Sequence, residues 1–161
     1  MLNIIHEDNH ILLAIKPQNF PSQADASLDD NMVSLVKRYL KEKFDKPGNV
    51  YLGLVHRLDR PTGGVMVFAK TGKAAKRLSE SMREGAFNKV YLCVVNGVVS
   101  ENKGRLVHHL KKNARTNVVQ VVPELTTGAK KAELEYVVLD RKQKVSLLAV
   151  KLKTGRSHQI R

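Results

Sequence analysis

The segment HRLDRPTGG, residues 56–64, places four ionisable side chains between two apolar stretches, NVYLGLV and VMVFAK. Asp59 differs from the other acidic residues because it lies in this apolar neighbourhood and beside Arg57 and Arg60. A carboxylate can act as a nucleophile, as it does in some glycosidases. In apolar surroundings it stays ionised only if a cation lies close by. Two interpretations remain open, a nucleophilic Asp59 and an Asp59 that caps a turn before Pro61.

The other chemistry-bearing residues do not form a familiar metal or nucleotide site. The six histidines include no HExxH pair, and the single cysteine, Cys93, excludes thiolate zinc clusters. The glycines match neither GxGxxG nor GxxxxGK[ST]. We therefore expect no metal and no nucleotide or organic cofactor. Cys93 lies in the apolar VYLCVV, where a small buried hydrophobic residue is expected.

The charge of the chain favours a polyanionic partner. Lys and Arg number 28 against 15 acidic residues, a formal net charge of +13. Residues 1–80 carry 12 basic and 9 acidic side chains, whereas residues 81–161 carry 16 and 6. Such an excess is typical of proteins that bind a phosphate backbone, although a merely basic soluble surface is the alternative. No apolar run approaches the roughly 20 residues of a membrane-spanning helix, and one cysteine is typical of a reducing, cytoplasmic compartment.

The apolar pattern predicts about eight strands and two helices in one domain over residues 1–161. The first two strands lie in LNIIHEDNHILLAIKP, and two short strands flank HRLDRPTGG. The others are KVYLCVVNGVV, RLVHHL, NVVQVV, AELEYVVL and VSLLAVKL. Two helices are too few to connect successive parallel strands. We therefore expect an α+β fold with a mixed, mainly antiparallel sheet flanked by helices.

Helical spacing of apolar residues predicts one helix over residues 32–44 and another over residues 72–87. Asp29 or Asp30 is expected to cap the first helix, and Thr71 the second. The second helix should bury the apolar residues of one face, namely Ala75, Leu78 and Met82.

Four motifs, in order along nearly the whole chain, resemble those of the RluA-type RNA pseudouridine synthases. EDNHILLAIKPQNFPSQAD resembles the N-terminal hairpin and KPxGxPxx stretch of that family, and HRLDRPTGG resembles its HRLDxxTSG motif. NKVYLCVVNG is similar to KxYxAxVxG, and LKTGRSHQIR is similar to TGRxHQIR. One departure is Gly63, which stands where the family usually has serine. The resemblance implies the fold of a pseudouridine synthase catalytic domain.

The resemblance also implies an isomerase that converts a specific uridine in ribosomal or transfer RNA to pseudouridine without a cofactor. Asp59 would be the nucleophile, attacking either the sugar C1′ or the pyrimidine ring. Tyr91 would lie against the flipped uracil and is a candidate for removing the proton from C5. Arg161 would form the ion pair that keeps Asp59 charged.

The resemblance further implies the residues that hold the RNA and shape the pocket. Arg57 would help to keep the target nucleotide out of its stack, which is needed before the base can react. Ile160 would form part of the pocket wall. His56, Arg156 and His158 would contact RNA or support the motifs.

Members of the family continue after HQIR through further strands and a helix. We therefore expect a catalytic domain that is truncated at Arg161. This leaves a second function open, an RNA-binding protein with an incomplete and inactive synthase domain. In either case the expected partner is RNA, with no membrane contact, and the expected state is a monomer.

Overall fold

The computed structural model describes residues 2–25 and 27–161, which form two compact units. The first unit covers residues 1–84 and the second covers residues 85–161. Within the described residues, every pairing of strands is antiparallel, as the small number of helices predicts. No helix of this part of the chain is long and apolar enough to cross a membrane.

The first unit is a four-stranded sheet with two helices. In chain order its elements are β1 Asn3–Glu7, β2 Ile11–Lys16, α1 Met32–Lys43, β3 Gly53–Leu54, β4 Gly64–Ala69 and α2 Gly72–Arg83. The strands lie in the order β1-β2-β4-β3. The central strands β2 and β4 supply much of the core, because their inward side chains, among them Leu12, Ala14, Met66 and Phe68, are fully buried.

Both helices begin at polar caps, one of them at an unexpected residue. Asn31 caps α1, since its side chain accepts a hydrogen bond from the Ser34 amide, so the prediction of Asp29 or Asp30 was wrong. The cap is the residue directly before the first helical turn, and only the side chain of Asn31 stands there. Thr71 caps α2 as predicted, by accepting from the Ala74 amide at 3.1 Å.

Helix α2 is shorter than predicted because it ends at Arg83, before Gly85. Gly85 has φ +74°, a left-handed conformation that ends helices and that glycine adopts without strain. The predicted inward face of α2 is only partly buried. Ala74 is buried, whereas Ala75, Leu78 and Met82 are half-buried.

The second unit is a five-stranded sheet in the order β5-β9-β8-β6-β7. Its strands are β5 Lys89–Asn96, β6 Lys103–Lys112, β7 Val119–Val122, β8 Lys130–Lys142 and β9 Val145–Leu152. The core on one face is built on Leu134, Leu148 and Val150. Cys93 packs against this core but is half-buried rather than buried as predicted, and its partial burial raises the pKa of its thiol. On the other face, the edge strand β5 exposes an apolar stripe of Val90, Leu92 and Val94.

A buried ion-pair cluster joins three elements of the first unit. The Glu7 carboxylate at the end of β1 contacts Lys70 Nζ at 2.7 Å and Lys43 Nζ at 2.8 Å. It also accepts a hydrogen bond from Tyr39 Oη at 2.9 Å, and its side chain is only 9% exposed. Burial by itself would raise the pKa of Glu7, but the hydrogen bonds from Lys43, Lys70 and Tyr39 outweigh it and lower that pKa to about 2.

This shift predicts a specific loss of stability in acid. The Glu7 carboxyl has a pKa of 4.5 when unperturbed and about 2 in the fold, so its contribution is complete above pH 4.5 and is lost as the pH falls toward 2. The contribution is roughly 3 kcal/mol. We expect Glu7→Gln to lower the free energy of unfolding near pH 6, and the difference from wild type to fall to about a quarter of that value by pH 2.5. Urea unfolding at several pH values measures both.

Glu42→Gln is the matched control, because it makes the same change at an exposed position of α1. It should leave the pH dependence of unfolding as in wild type. A difference between wild type and Glu7→Gln that is the same at pH 6 and pH 2.5 would contradict the role of the cluster.

Candidate active site

The segment from Val55 to Gly63 is the connection between β3 and β4, and it turns sharply at Asp59. The Thr62 amide donates to the Asp59 carbonyl at 2.9 Å, which closes a four-residue turn over Pro61. Asp59 itself is half-buried. The stretch therefore forms a turn that main-chain atoms close, and both interpretations of the Asp59 side chain stay predictions.

Leu58 and Ser22 anchor the turn to the body of the unit. Leu58 is buried, and its main chain forms two hydrogen bonds with the buried hydroxyl of Ser22. Ser22 Oγ donates to the Leu58 carbonyl at 2.7 Å and accepts from the Leu58 amide at 3.2 Å. Ser22 therefore holds both polar main-chain groups of Leu58, the residue directly before Asp59. Sequence reasoning missed Ser22, which sits in a polar stretch with no periodic signal.

The two arginines beside Asp59 have different roles. Arg60 forms ion pairs with Asp29 at 2.5 Å and with Asp25 at 3.6 Å, so it ties the turn to the loop before α1. Its guanidinium is the main reason that the pKa of Asp29 is lowered. Arg57 is exposed, as a residue that reaches toward a partner must be.

His56 lies in the connection between β3 and β4 and binds the main chain of β4. Its Nε2 accepts a hydrogen bond from the Val67 amide at 3.0 Å. An imidazole nitrogen that accepts carries no proton, so the proton of the neutral ring lies on Nδ1 in this arrangement. This contact favours motif support over phosphate binding as the role of His56.

Asn19 and Gly63 show how the two N-terminal motifs fit together. Asn19 stands at the glycine position of the KPxGxPxx pattern and has φ +58°, a left-handed conformation that asparagine tolerates better than most residues. A Cβ added at Gly63 would lie 3.1 Å from Gln18 Cγ. A side chain at position 63 would crowd Gln18, so the glycine found there allows the close approach of the segment after β2.

Tyr91 and the TGRSHQIR segment belong to the second unit. Tyr91 lies in β5 opposite Val150 of β9 and is half-buried, between the exposed Val90 and Leu92. By strand alternation its ring is on the same face as Cys93, the face of the core. Tyr91 is thus held on a paired strand rather than on a loop.

The side chains of Thr154 and Gln159 fasten the TGRSHQIR segment to β8. Thr154 Oγ1 accepts from the Glu133 amide and donates to Gln159 Oε1, both at 2.8 Å. Gln159 Nε2 then donates to the Glu133 carbonyl at 3.0 Å. Sequence reasoning assigned no role to Gln159, although its place in the quoted motif was the available signal.

The last residues form two consecutive turns that end at Arg161. The Gln159 amide donates to the Arg156 carbonyl at 3.3 Å, and the Arg161 amide donates to the His158 carbonyl at 3.1 Å. Ile160 packs against the core of the second unit, so its role as a wall residue has a structural basis within that unit. Arg156 is exposed, and its Nε donates to the Lys131 carbonyl at 2.8 Å.

His158 and Arg161 line a cavity of about 170 Å³ in the second unit. Its apolar side is formed by residues of β6, β7 and β8, including Leu106 and Val121. The cavity therefore combines an apolar wall with a guanidinium and an imidazole.

The predicted site residues form two groups, each held within one unit. His56, Arg57 and Asp59 share one anchored turn. The others, Tyr91, Arg156, His158, Ile160 and Arg161, lie on β5 or on the turns after β9. The ion pair between Asp59 and Arg161 stays a prediction. Among residues 2–25 and 27–161, no three His, Cys, Asp or Glu side chains lie together as metal ligands would.

Comparison with known proteins identifies the family. The sequence profile of the RNA pseudouridylate synthases matches residues 10–161. Ribosomal large subunit pseudouridine synthase D of Borreliella burgdorferi is 32% identical, over 98% of this chain and 49% of its own length. An uncharacterized RNA pseudouridine synthase of Aquifex aeolicus is 35% identical, over 99% of this chain and 51% of its own. Ribosomal large subunit pseudouridine synthase C of Escherichia coli is 31% identical, over 98% of this chain and 47% of its own length.

Solved structures confirm the predicted fold. Human RNA Pseudouridylate Synthase Domain Containing 4 matches with a TM-score of 0.81 and 22% identity, over 99% of this chain and 62% of that one. Human RNA Pseudouridylate Synthase Domain Containing 1 matches with a TM-score of 0.76 and 23% identity, over 100% of this chain and 63% of that one. The chain spans about half the length of the curated relatives that it matches. With four ordered motifs, a profile match over residues 10–161 and this fold, the chain belongs to the RluA-type family of RNA pseudouridine synthases.

Proposed function

We propose that this chain isomerises uridine to pseudouridine in structured RNA, with Asp59 as the nucleophile. The observation that carries the proposal is the anchored turn of HRLDRPTGG, in a chain whose sequence matches the pseudouridylate synthase profile over residues 10–161. The turn holds a half-buried carboxylate at a fixed place on the fold, which nucleophilic catalysis requires.

The proposed reaction needs no external reagent, because uridine and pseudouridine are isomers. Asp59 attacks the sugar C1′ or the pyrimidine ring, and the bond between N1 and C1′ breaks. The base turns, and C5 bonds to C1′. The bond to Asp59 breaks and frees its carboxylate, and the proton lost from C5 is balanced by the one gained at N1. Tyr91 is the proposed group beside the uracil, and its place on a paired strand suits a wall that must stay rigid.

Arg161 is the proposed cation that keeps Asp59 ionised through the reaction. The hydrogen bonds of Thr154 and Gln159 to β8 support this role, because they fix the segment that carries Arg161. Ile160 is the proposed wall of the uracil pocket, and its packing against the core of the second unit supports this role.

The proposed partner is RNA, with a uridine of ribosomal or transfer RNA as the substrate. Residues 81–161 carry 16 basic and 6 acidic side chains, a balance that suits a phosphate backbone. Arg57 is the residue proposed to hold the target nucleotide out of its stack, and its exposure supports that role. Arg156 and His158 are proposed phosphate contacts, and His56 a support of the motif. The proposed setting is the cytoplasm, and the proposed state a monomer.

The test is pseudouridine formation by the purified chain. Unmodified ribosomal and transfer RNA are incubated with the protein, treated with carbodiimide and mapped by reverse-transcription stops. We expect at least one new carbodiimide-dependent stop, absent when the protein is heat-denatured. Binding of RNA without any new stop would overturn the enzymatic proposal and favour an RNA-binding protein with an inactive synthase domain.

A further inference from the structure

An exposed leucine stands in the loop before α1, and no step of the proposed reaction uses it. Leu28 is 92% exposed, more than any other large apolar side chain described in the first unit. A single exposed apolar side chain is common on protein surfaces and by itself indicates no function. The conformation of Leu28 and the place of its loop distinguish it from such a residue.

The main chain of Leu28 has a conformation that leucine rarely adopts. Its φ is +60°, in the left-handed region, where the Cβ of an L-residue lies too close to the following carbonyl oxygen. Glycine or asparagine occupies this region more readily. Strained residues of this kind cluster at sites that bind or react. Because the side chain is exposed, burial of its apolar surface does not compensate for the strain, and its purpose is expected outside the fold.

Hydrogen bonds hold the residues on both sides of Leu28. The Leu28 amide donates to the Asp25 carbonyl at 3.3 Å. Asp25 Oδ1 accepts from the Ser27 amide at 3.0 Å and from Ser27 Oγ at 2.6 Å. The Asp29 amide donates to Ser27 Oγ at 3.3 Å. The exposed leucine is therefore presented from a main chain that is tied down on either side of it.

Arg60 joins this loop to the turn that carries Asp59. Its guanidinium contacts Asp29 Oδ2 at 2.5 Å and Ser27 Oγ at 3.1 Å. Because Arg60 directly follows Asp59, a single side chain connects the segment of Leu28 with the segment of the proposed nucleophile. An RNA that brings a uridine to Asp59 is therefore expected to meet Leu28 as well.

The acidic residues of this loop are paired with arginines. Asp25 and Asp29 lie 3.6 Å and 2.5 Å from the Arg60 guanidinium, and Asp30 lies 3.6 Å from that of Arg38. Each carboxylate thus has a positive charge beside it, which reduces the repulsion of an approaching phosphate backbone. The loop can face RNA despite its three aspartates.

We propose that Leu28 is an apolar wedge that packs against the RNA base beside the target uridine. Extruding a nucleotide from a helical stack exposes the face of its neighbour. Leucine is among the side chains that proteins insert at such opened steps. Leu28 covers the exposed face, while Arg57 acts on the extruded nucleotide itself. This inference rests on the proposed function, because it assigns Leu28 to the step that brings the uridine to Asp59.

The first test measures binding and does not depend on activity. Filter binding compares an intact RNA duplex with the same duplex carrying one abasic nucleotide. Wild type should bind the abasic duplex about fivefold more tightly, because the wedge fills the gap without unstacking a base. Leu28→Asn removes the apolar side chain and should bind both duplexes within about twofold of each other. No preference in wild type, or the same preference in both proteins, would overturn the proposal.

Leu125→Asn is the matched control, because Leu125 is 96% exposed on the connection between β7 and β8. It should keep the wild-type preference for the abasic duplex. Leu28→Met retains an apolar side chain and should keep that preference too. Thermal unfolding of Leu28→Asn should show no fall in Tm, since asparagine tolerates a φ of +60° better than leucine does. A lower Tm would make Leu28 a structural residue and contradict the wedge.

The second test measures single-turnover conversion of the uridine that the mapping locates. Leu28→Asn should reduce the rate constant about tenfold when that uridine is base-paired, and less than about twofold when it lies in a bulge, where less stacking has to be broken. Equal reductions on the two RNAs would overturn the proposal. An inactive wild type that still prefers the abasic duplex contradicts the proposed function alone. An active wild type without that preference contradicts the wedge alone.

Discussion

Asp59→Asn is expected to abolish pseudouridine formation while RNA binding stays within a few-fold of wild type. Asparagine has nearly the same shape as aspartate and keeps one carbonyl oxygen, but its amide is not a nucleophile. Loss of a nucleophile typically lowers the rate by on the order of 10⁴-fold or more. The turn itself should persist, because main-chain atoms close it and Ser22 anchors it. Product formation is measured as the single-turnover yield of carbodiimide-dependent stops. RNA affinity is measured in parallel by filter binding.

The matched control for this change is Asp45→Asn. Asp45 is an exposed residue after α1 with φ +44°, a conformation that asparagine adopts at least as well as aspartate. It should leave both activity and affinity unchanged. Stops of equal intensity with wild type and Asp59→Asn would remove Asp59 from the chemistry and return it to the role of a turn residue.

Arg161→Met should reduce the rate of conversion far more than the affinity for RNA. If Arg161 pairs with Asp59, its removal leaves the half-buried carboxylate without the cation that favours its charged form. Loss of a preorganised electrostatic partner typically costs on the order of 10² to 10³ in rate. Methionine retains the length and apolar stem, so packing around Ile160 should be preserved. Single-turnover rates and binding curves separate the two effects.

Arg156→Met is the contrasting variant, because Arg156 belongs to the same segment but is a proposed phosphate contact, with its Nε bound to the Lys131 carbonyl. It should weaken binding and leave the rate constant of bound RNA close to wild type. The dependence of affinity on salt adds a second criterion, since each lost phosphate contact lowers the slope by about one. If Arg161→Met lowered that slope and affected affinity and rate equally, Arg161 would be a phosphate contact instead of the partner of Asp59.

The fold was largely predictable because strand alternation and cap chemistry are local. The strand segments and the Thr71 cap follow from neighbours within a few residues, whereas the antiparallel pairing follows from the small number of helices. The errors were local as well. Three polar residues in a row precede α1, and their sequence does not tell which of them meets the first turn. Helix α2 was extended to residue 87 because its apolar spacing continues past Gly85.

The candidate site was predictable where a motif names the residue and not where tertiary neighbours define it. HRLDRPTGG and TGRSHQIR pointed to Asp59 and Arg161 directly. Ser22 acts through the carbonyl and the amide of Leu58, which is distant in sequence. Main-chain partners leave no trace in the amino-acid sequence, so this support became visible only in the folded chain.

The apolar stripe on β5 has a practical consequence for the handling of this protein. Val90, Leu92 and Val94 are 61%, 68% and 66% exposed, and they lie on a strand at the edge of its sheet. Exposed apolar edges promote precipitation at the concentrations that spectroscopy and crystallisation need. Their side chains point away from the face that carries Tyr91 and the core. A single lysine at Leu92 is therefore expected to improve solubility, from the face of β5 opposite Tyr91.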